Sequence, residues 1–135
     1  MTQQVVVPVR YPLTAHSKAT LRKAIAVAED ADDAELTVLH VNLYHENDHT
    51  SRSDLKEAVE AAVGELPEAR YVVRTGLLVE ETILDEVVEQ GADIVVIGQK
   101  QAPRWRRMVR RIVDDPDIEQ YLERELDAKV VTASV

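Results

Sequence analysis

The stretch Gly91-Ala-Asp-Ile-Val-Val-Ile-Gly98 decides the fold. A glycine, a short polar step and four consecutive large apolar residues read as a helix stop followed by a buried strand that ends on a second glycine. A strand with no polar alternation is covered on both faces, which is the condition of a parallel sheet between helical layers. The turn that follows, Gln99-Lys-Gln-Ala-Pro-Arg-Trp-Arg-Arg107, is rich in arginine where a nucleotide-binding α/β protein carries glycine.

Working outward, the same alternation repeats along the chain. Val5-Val-Val-Pro-Val9 is a second continuous apolar run. Thr14 is placed to cap a helix over about 15–31, with Leu21, Ala24, Ile25 and Ala28 on one face. Residues 34–41 form the next strand, and 42–50 a polar loop. Ser51 or Ser53 starts a helix that sends Leu55, Ala58, Val59, Ala62 and Leu66 inward and ends at Pro67. Residues 70–74 are a strand closed by Gly76. Residues 79–90 are a helix carrying Val79, Ile83, Leu84, Val87 and Val88, with Gly91 as its C-cap. Helical patterns at 103–112 and 116–126 precede a last strand at 128–133. Strands alternating with helices imply an α/β fold with a parallel sheet and right-handed crossovers. Ligands of such sheets sit at the carboxyl ends of the strands, so the loops at 10–14, 42–50, 75–79 and 98–117 are those to inspect.

Composition excludes several function classes. A chain of 135 residues suits one domain, and 45% hydrophobic with 30% charged content indicates a globular protein. No apolar run is long enough to cross a bilayer and the first residues lack a signal-peptide pattern, so a cytoplasmic location without membrane association is expected. There is no cysteine, hence no disulfide, thiol nucleophile or thiolate metal site. A net charge of −9 argues against a general polyanion or nucleic-acid binder. The acidic surface, with more arginine than lysine, suits a halophilic source.

In this order, these segments resemble the universal stress protein family. Val5-Val-Val-Pro-Val9 is similar to its first strand and Ala34-Glu-Leu-Thr-Val-Leu-His-Val41 to its second. Gly76 followed by Glu80-Glu-Thr-Ile-Leu84 is similar to its third loop and helix, and Gly91 to Gly98 to its fourth strand. The resemblance implies a flavodoxin-like, adenine nucleotide α-hydrolase-like three-layer sandwich with a five-stranded parallel sheet in the order 3-2-1-4-5. It also implies a homodimer, often joined through the last strand.

Family members that bind ATP carry glycines and a Gly-Ser/Thr step after the fourth strand, where backbone N–H groups and a helix N-terminus cradle phosphate. Gly98 matches the first glycine. Gln101 stands at the second, and 111–117 contains no glycine, serine or threonine. Arg10 replaces the acidic residue that follows the first strand. Asp114, Asp115 and Asp117 suit a helix start and would repel a triphosphate. The expected function is therefore a non-enzymatic stress-response protein acting as a dimer, without a bound cofactor. The alternative is a divergent ATP or AMP binder. Val7, Pro8, Val9 and Arg10 would then lie by the base, His40, Val41 and Asn42 near the adenine, and Gly98, Lys100, Arg104, Arg106 and Arg107 near phosphate. An arginine-mediated RNA or protein adaptor is a further alternative.

Two other patterns carry candidate chemistry. Lys100, Arg104, Arg106, Arg107, Arg110 and Arg111 flank Trp105, Met108, Val109 and Ile112, which recur at i, i+3, i+4 and i+7. This amphipathic pattern favours ion pairing with carboxylates of this chain or of a partner over an anion clamp. His45 and His49, with acids between them, could hold a divalent ion, but on a loop their spacing fixes no geometry, and a plain polar loop is favoured. No Gly-x-Ser-x-Gly elbow exists, and the serines read as caps, helix or tail, so no catalytic residue is expected.

Overall fold

The computed structural model describes residues 2–46, 48–66, 68–98, 103 and 129–133. The strands are β1 (Gln3–Pro8), β2 (Ala34–Leu43), β3 (Arg70–Gly76), β4 (Ile94–Gly98) and β5 (Lys129–Ala133); the helices are α1 (Ala15–Asp30), α2 (Arg52–Val63) and α3 (Val79–Gln90). All neighbouring strands are parallel, in the order β3-β2-β1-β4-β5. Val5 of β1 faces Leu36 of β2 on one side and Ile94 of β4 on the other.

The period of two divides the apolar residues between two cores. Val5 and Val7 pack with Leu36, Val38 and Val96 under Leu21 and Ala24 of α1 and Leu55 and Val59 of α2. Val6 joins Leu39, Val41, Val95 and Ile97 under Ile83 and Val87 of α3. Helices thus cover both faces, and the central strand has no solvent side, as its unbroken apolar sequence requires. Burying each such valine contributes about 1.5–3 kcal/mol. None of the described helices is long and apolar enough to cross a membrane.

Local chemistry sets the ends of the elements. Thr14 accepts from the N–H of Ser17 and starts α1. Ser51, not Ser53, caps α2, with Asp54 completing a capping box. Gly91 closes α3 at φ 61° and ψ 46°, the left-handed C-cap read from sequence. Asp93 then fastens the start of β4 to β1: its carboxylate accepts from Gln4 N–H at 2.8 Å, and its own N–H donates to the Gln4 carbonyl at 2.8 Å.

Three expectations are corrected. The helix α2 stops at Val63, before Pro67, because Gly64 turns the chain at φ 89°. Leu66 still packs against the core beyond that turn. Val88 is 57% exposed rather than inward, since Ile83 and Val87 already fill the strip of α3 that meets the sheet. The strands β2 and β3 continue to Leu43 and Gly76, past the ends expected at 41 and 74, because their ladder persists through Asn42–Thr75 and Leu43–Gly76.

One polar network crosses the α3 face. The Glu86 carboxylate, 2% exposed, accepts from Arg74 Nε and from Gln90 Nε2, and Gln90 Oε1 accepts from the Thr37 hydroxyl at 3.0 Å. It ties α3 to both β2 and β3.

Candidate functional site

A cavity of about 190 Å3 opens at the carboxyl ends of β1 and β2. Pro8, Val9 and Arg10 form one wall, and Leu39, His40 and Val41 the floor. Val79 and Ile83 of α3 close the far side, while Tyr11, Glu46, Asp48 and Thr50 make the rim. The position is where ligands of parallel α/β sheets bind, beside the strand at which the order reverses.

His40 is its buried centre. Nδ1 lies 3.2 Å from the Val9 carbonyl oxygen and Nε2 lies 3.2 Å from Asn42 Oδ1. Both neighbours are acceptors, and a neutral imidazole carries one N–H, so it can donate to only one of them at a time. The Tyr11 ring meets the His40 ring edge-on, with centroids 6.2 Å apart and planes at 64°. Asn42 in turn grips the main chain of Thr50: Nδ2 donates to the carbonyl at 2.9 Å and Oδ1 accepts from the N–H at 3.0 Å. The pair of amide bonds fixes which end of the Asn42 side chain is oxygen and anchors the returning end of the loop at 44–50. His49 Nε2 is engaged with the Leu43 carbonyl at 3.1 Å.

The charges around this cavity are mixed. Arg10 donates its backbone N–H to Ser17 Oγ at 3.0 Å, and its guanidinium forms no ion pair among the described residues. Glu46 and Asp48 place two carboxylates on the same rim.

Of the residues singled out in the sequence, Pro8, Val9, Arg10, His40 and Val41 meet at this cavity. Val7 lies one step back, in the core under α1 and α2. Asn42 is buried and holds the loop rather than lining the cavity. Gly98 ends β4, in register with Ala133 of β5. Lys100, Arg104, Arg106 and Arg107, like Asp114, Asp115 and Asp117, lie outside the described residues. Among the described residues, no group of three metal-ligating side chains gathers around His45 and His49 or elsewhere. Sequence reasoning missed Tyr11, Glu46, Asp48 and Thr50. The usable signal was Asn42, an amide immediately before a polar loop, a residue type that captures nearby backbone.

A flavodoxin-like parallel sheet with a cavity at the carboxyl ends of β1 and β2 defines the class. The Universal stress protein family model matches residues 1–115, and the chain belongs to that family. Among solved structures, it is similar to a universal stress protein crystallised in complex with cAMP, at 15% identity and a TM-score of 0.57, covering 97% of this chain and 96% of that one. It is also similar to the universal stress protein UspA from Lactobacillus plantarum, at 19% identity and a TM-score of 0.57, with 97% of each chain covered. A bacterial class III photolyase from Agrobacterium tumefaciens shares the fold over 99% of this chain but 26% of its own, at 20% identity and a TM-score of 0.54. A search of the curated proteins finds no match.

Proposed function

We propose that this chain is a non-enzymatic stress-response protein, a single cytoplasmic domain that acts as a homodimer through contacts with partners, and that it does not hold ATP in the usual manner of its family. The observation that carries this reading is the carboxyl-edge cavity itself. The described residues that line it enclose about 190 Å3, less than the roughly 300–1,000 Å3 of small-molecule sites. Asn42 spends its polar atoms on Thr50 and His40, and Glu46 and Asp48 oppose a phosphate at the rim. Two serine hydroxyls are engaged with backbone: Ser17 accepts from Arg10 N–H and Ser51 caps α2. The sequence after Gly98 supports the same conclusion, with Gln101 where ATP-binding members have glycine.

A second reading rests on Arg10, a guanidinium at the mouth of the cavity with no ion pair among the described residues, and on the similar protein solved with cAMP. In that reading the chain is a divergent nucleotide binder, with the base over Val9 and His40 and the phosphate toward Arg10. Isothermal titration of ATP, AMP and cAMP, with and without magnesium, separates the two. The expected result is no heat of binding up to millimolar nucleotide. Micromolar affinity for any of the three would put the nucleotide reading first.

A further inference from the structure

A second concavity, of about 410 Å3, lies at the opposite edge of the sheet, between the ends of α1 and α2 and the starts of β2 and β3. Its floor is apolar, with Ile25, Leu36 and Leu66. Its rim is acidic, with Glu29, Asp32 and Glu68, and none of these three carboxylates is in an ion pair among the described residues. No lysine or arginine is among the described residues that line it. An apolar trough rimmed by uncompensated negative charge is complementary to a segment with one apolar face and basic flanks. The chain carries one such segment. Between residues 104 and 112, Trp105, Met108, Val109 and Ile112 recur at helical spacing among five arginines, with no acidic residue.

We propose that this groove is an interface between two copies of the chain, each receiving the arginine-rich segment of the other. A two-fold exchange of this kind closes on itself, since both copies give a segment and both offer a groove. It places the basic run against carboxylates of a partner. The net charge of −9 makes two bare copies repel, so opposite-sign surfaces in register are what an association needs. The proposal rests on the dimer reading above and places its contact on this groove rather than on the last strand.

Charge exchange tests it in the full-length protein. One variant reverses the groove (Glu29→Lys, Asp32→Lys, Glu68→Lys), at three exposed positions. The other reverses the segment (Arg104→Glu, Arg106→Glu, Arg107→Glu). Sedimentation velocity at low salt should show a wild-type dimer and at least tenfold weaker self-association in each variant. The equimolar mixture should regain the dimer, because every groove then meets a segment of opposite sign. Circular dichroism matching wild type checks that both variants fold. As an independent arm, a labelled synthetic peptide of residues 103–113 should bind the wild type and lose at least tenfold in affinity for the groove-reversed variant. A dimer retained by both variants overturns this interface while leaving the dimer reading intact. So does a mixture that stays monomeric beside a wild-type dimer. A wild type that is monomeric at every concentration overturns both. Equal peptide binding to wild type and to the groove-reversed variant also removes the groove as the site.

Discussion

Arg74 Nε donates to Glu86 Oε2 at 2.6 Å, so a half-exposed guanidinium on β3 neutralises a carboxylate that α3 carries almost fully out of water. Arg74 also reaches Glu89 at 3.8 Å. Replacing Arg74 by Met keeps the aliphatic stem and leaves Glu86 with Gln90 as its remaining side-chain donor. An uncompensated buried carboxylate is costly. Because solvent already reaches the Arg74 side, the expected loss is about 2 kcal/mol rather than that of a fully buried pair. Urea unfolding followed by circular dichroism reads it directly. A change below half that size would mean that the pair is a solvated surface contact.

The same pair sets a pH dependence. Burial is the largest influence on Glu86 and pushes its carboxyl up. The hydrogen bonds from Arg74 and Gln90, with the charges of Arg74 and Arg70, together pull it down further, so it lies below its ordinary range. A folded-state value below the unfolded one means that the unfolded chain takes up the proton first as pH falls. The stabilisation from Glu86 is therefore complete above the ordinary carboxyl value of about 4.3 and is lost as pH drops through it toward the lower folded value. Unfolding midpoints measured from neutral to about pH 3 should fall more steeply for wild type than for Glu86→Gln. Parallel curves would remove Glu86 as the cause.

Asn42→Ala deletes both bonds to the main chain of Thr50. The part-buried N–H and carbonyl of Thr50 lose their partner, at an expected cost of about 1 kcal/mol, the low end of the range for a lost hydrogen bond because solvent reaches them. Amide exchange should quicken across 44–50 while β1 and β4 keep their protection. Uniform quickening over the whole sheet would show that Asn42 supports global stability rather than the loop.

Gly76 ends β3 where a side chain has no room. A Cβ there would run into Thr82 Oγ1 and come within 3.1 Å of Thr82 Cβ. Thr82 is itself held by its hydroxyl, which donates to the Leu78 carbonyl at 2.7 Å. Gly76→Ala should destabilise by about 1–3 kcal/mol, the ordinary range for overpacking. Thr82→Ala introduced beside it should recover at least half of that loss, giving a coupling in a double-mutant cycle. Additive effects would show that the clash is relieved by backbone movement instead.

Much of this fold is legible from its apolar runs because both faces of the sheet are covered. Val5 to Val7 and Val95 to Ile97 can hardly be anything but internal strands, and Gly91 marks its own C-cap. Periodicity misplaced Val88 because a helix on a flat sheet buries a narrow strip, and Ile83 with Val87 already fills it. It also preferred Pro67 to Gly64 as the end of α2, although a positive φ stops the helix three residues sooner. At the cavity, Arg10 and His40 were legible because they lie near the carboxyl ends of β1 and β2. Glu46, Asp48 and Thr50 were not, since their placement follows from a loop folded back by one amide side chain, and no periodicity records that; Tyr11, in the turn after β1, is placed by its edge contact with His40. The acid of the Gly-Ala-Asp motif likewise acquires its meaning only in space, as the clasp between β4 and Gln4.

Asn42 holds Thr50 by main-chain atoms alone, so its grip does not depend on which side chain stands at position 50. Apart from His49, whose ring meets the Leu43 carbonyl, side chains between them can change without disturbing the strands on which the loop stands. Glu46 and Asp48 are replaceable parts on a fixed mount, and a new rim chemistry could arise in this chain by substitution within one short loop, with the sheet and its two cores left as they are.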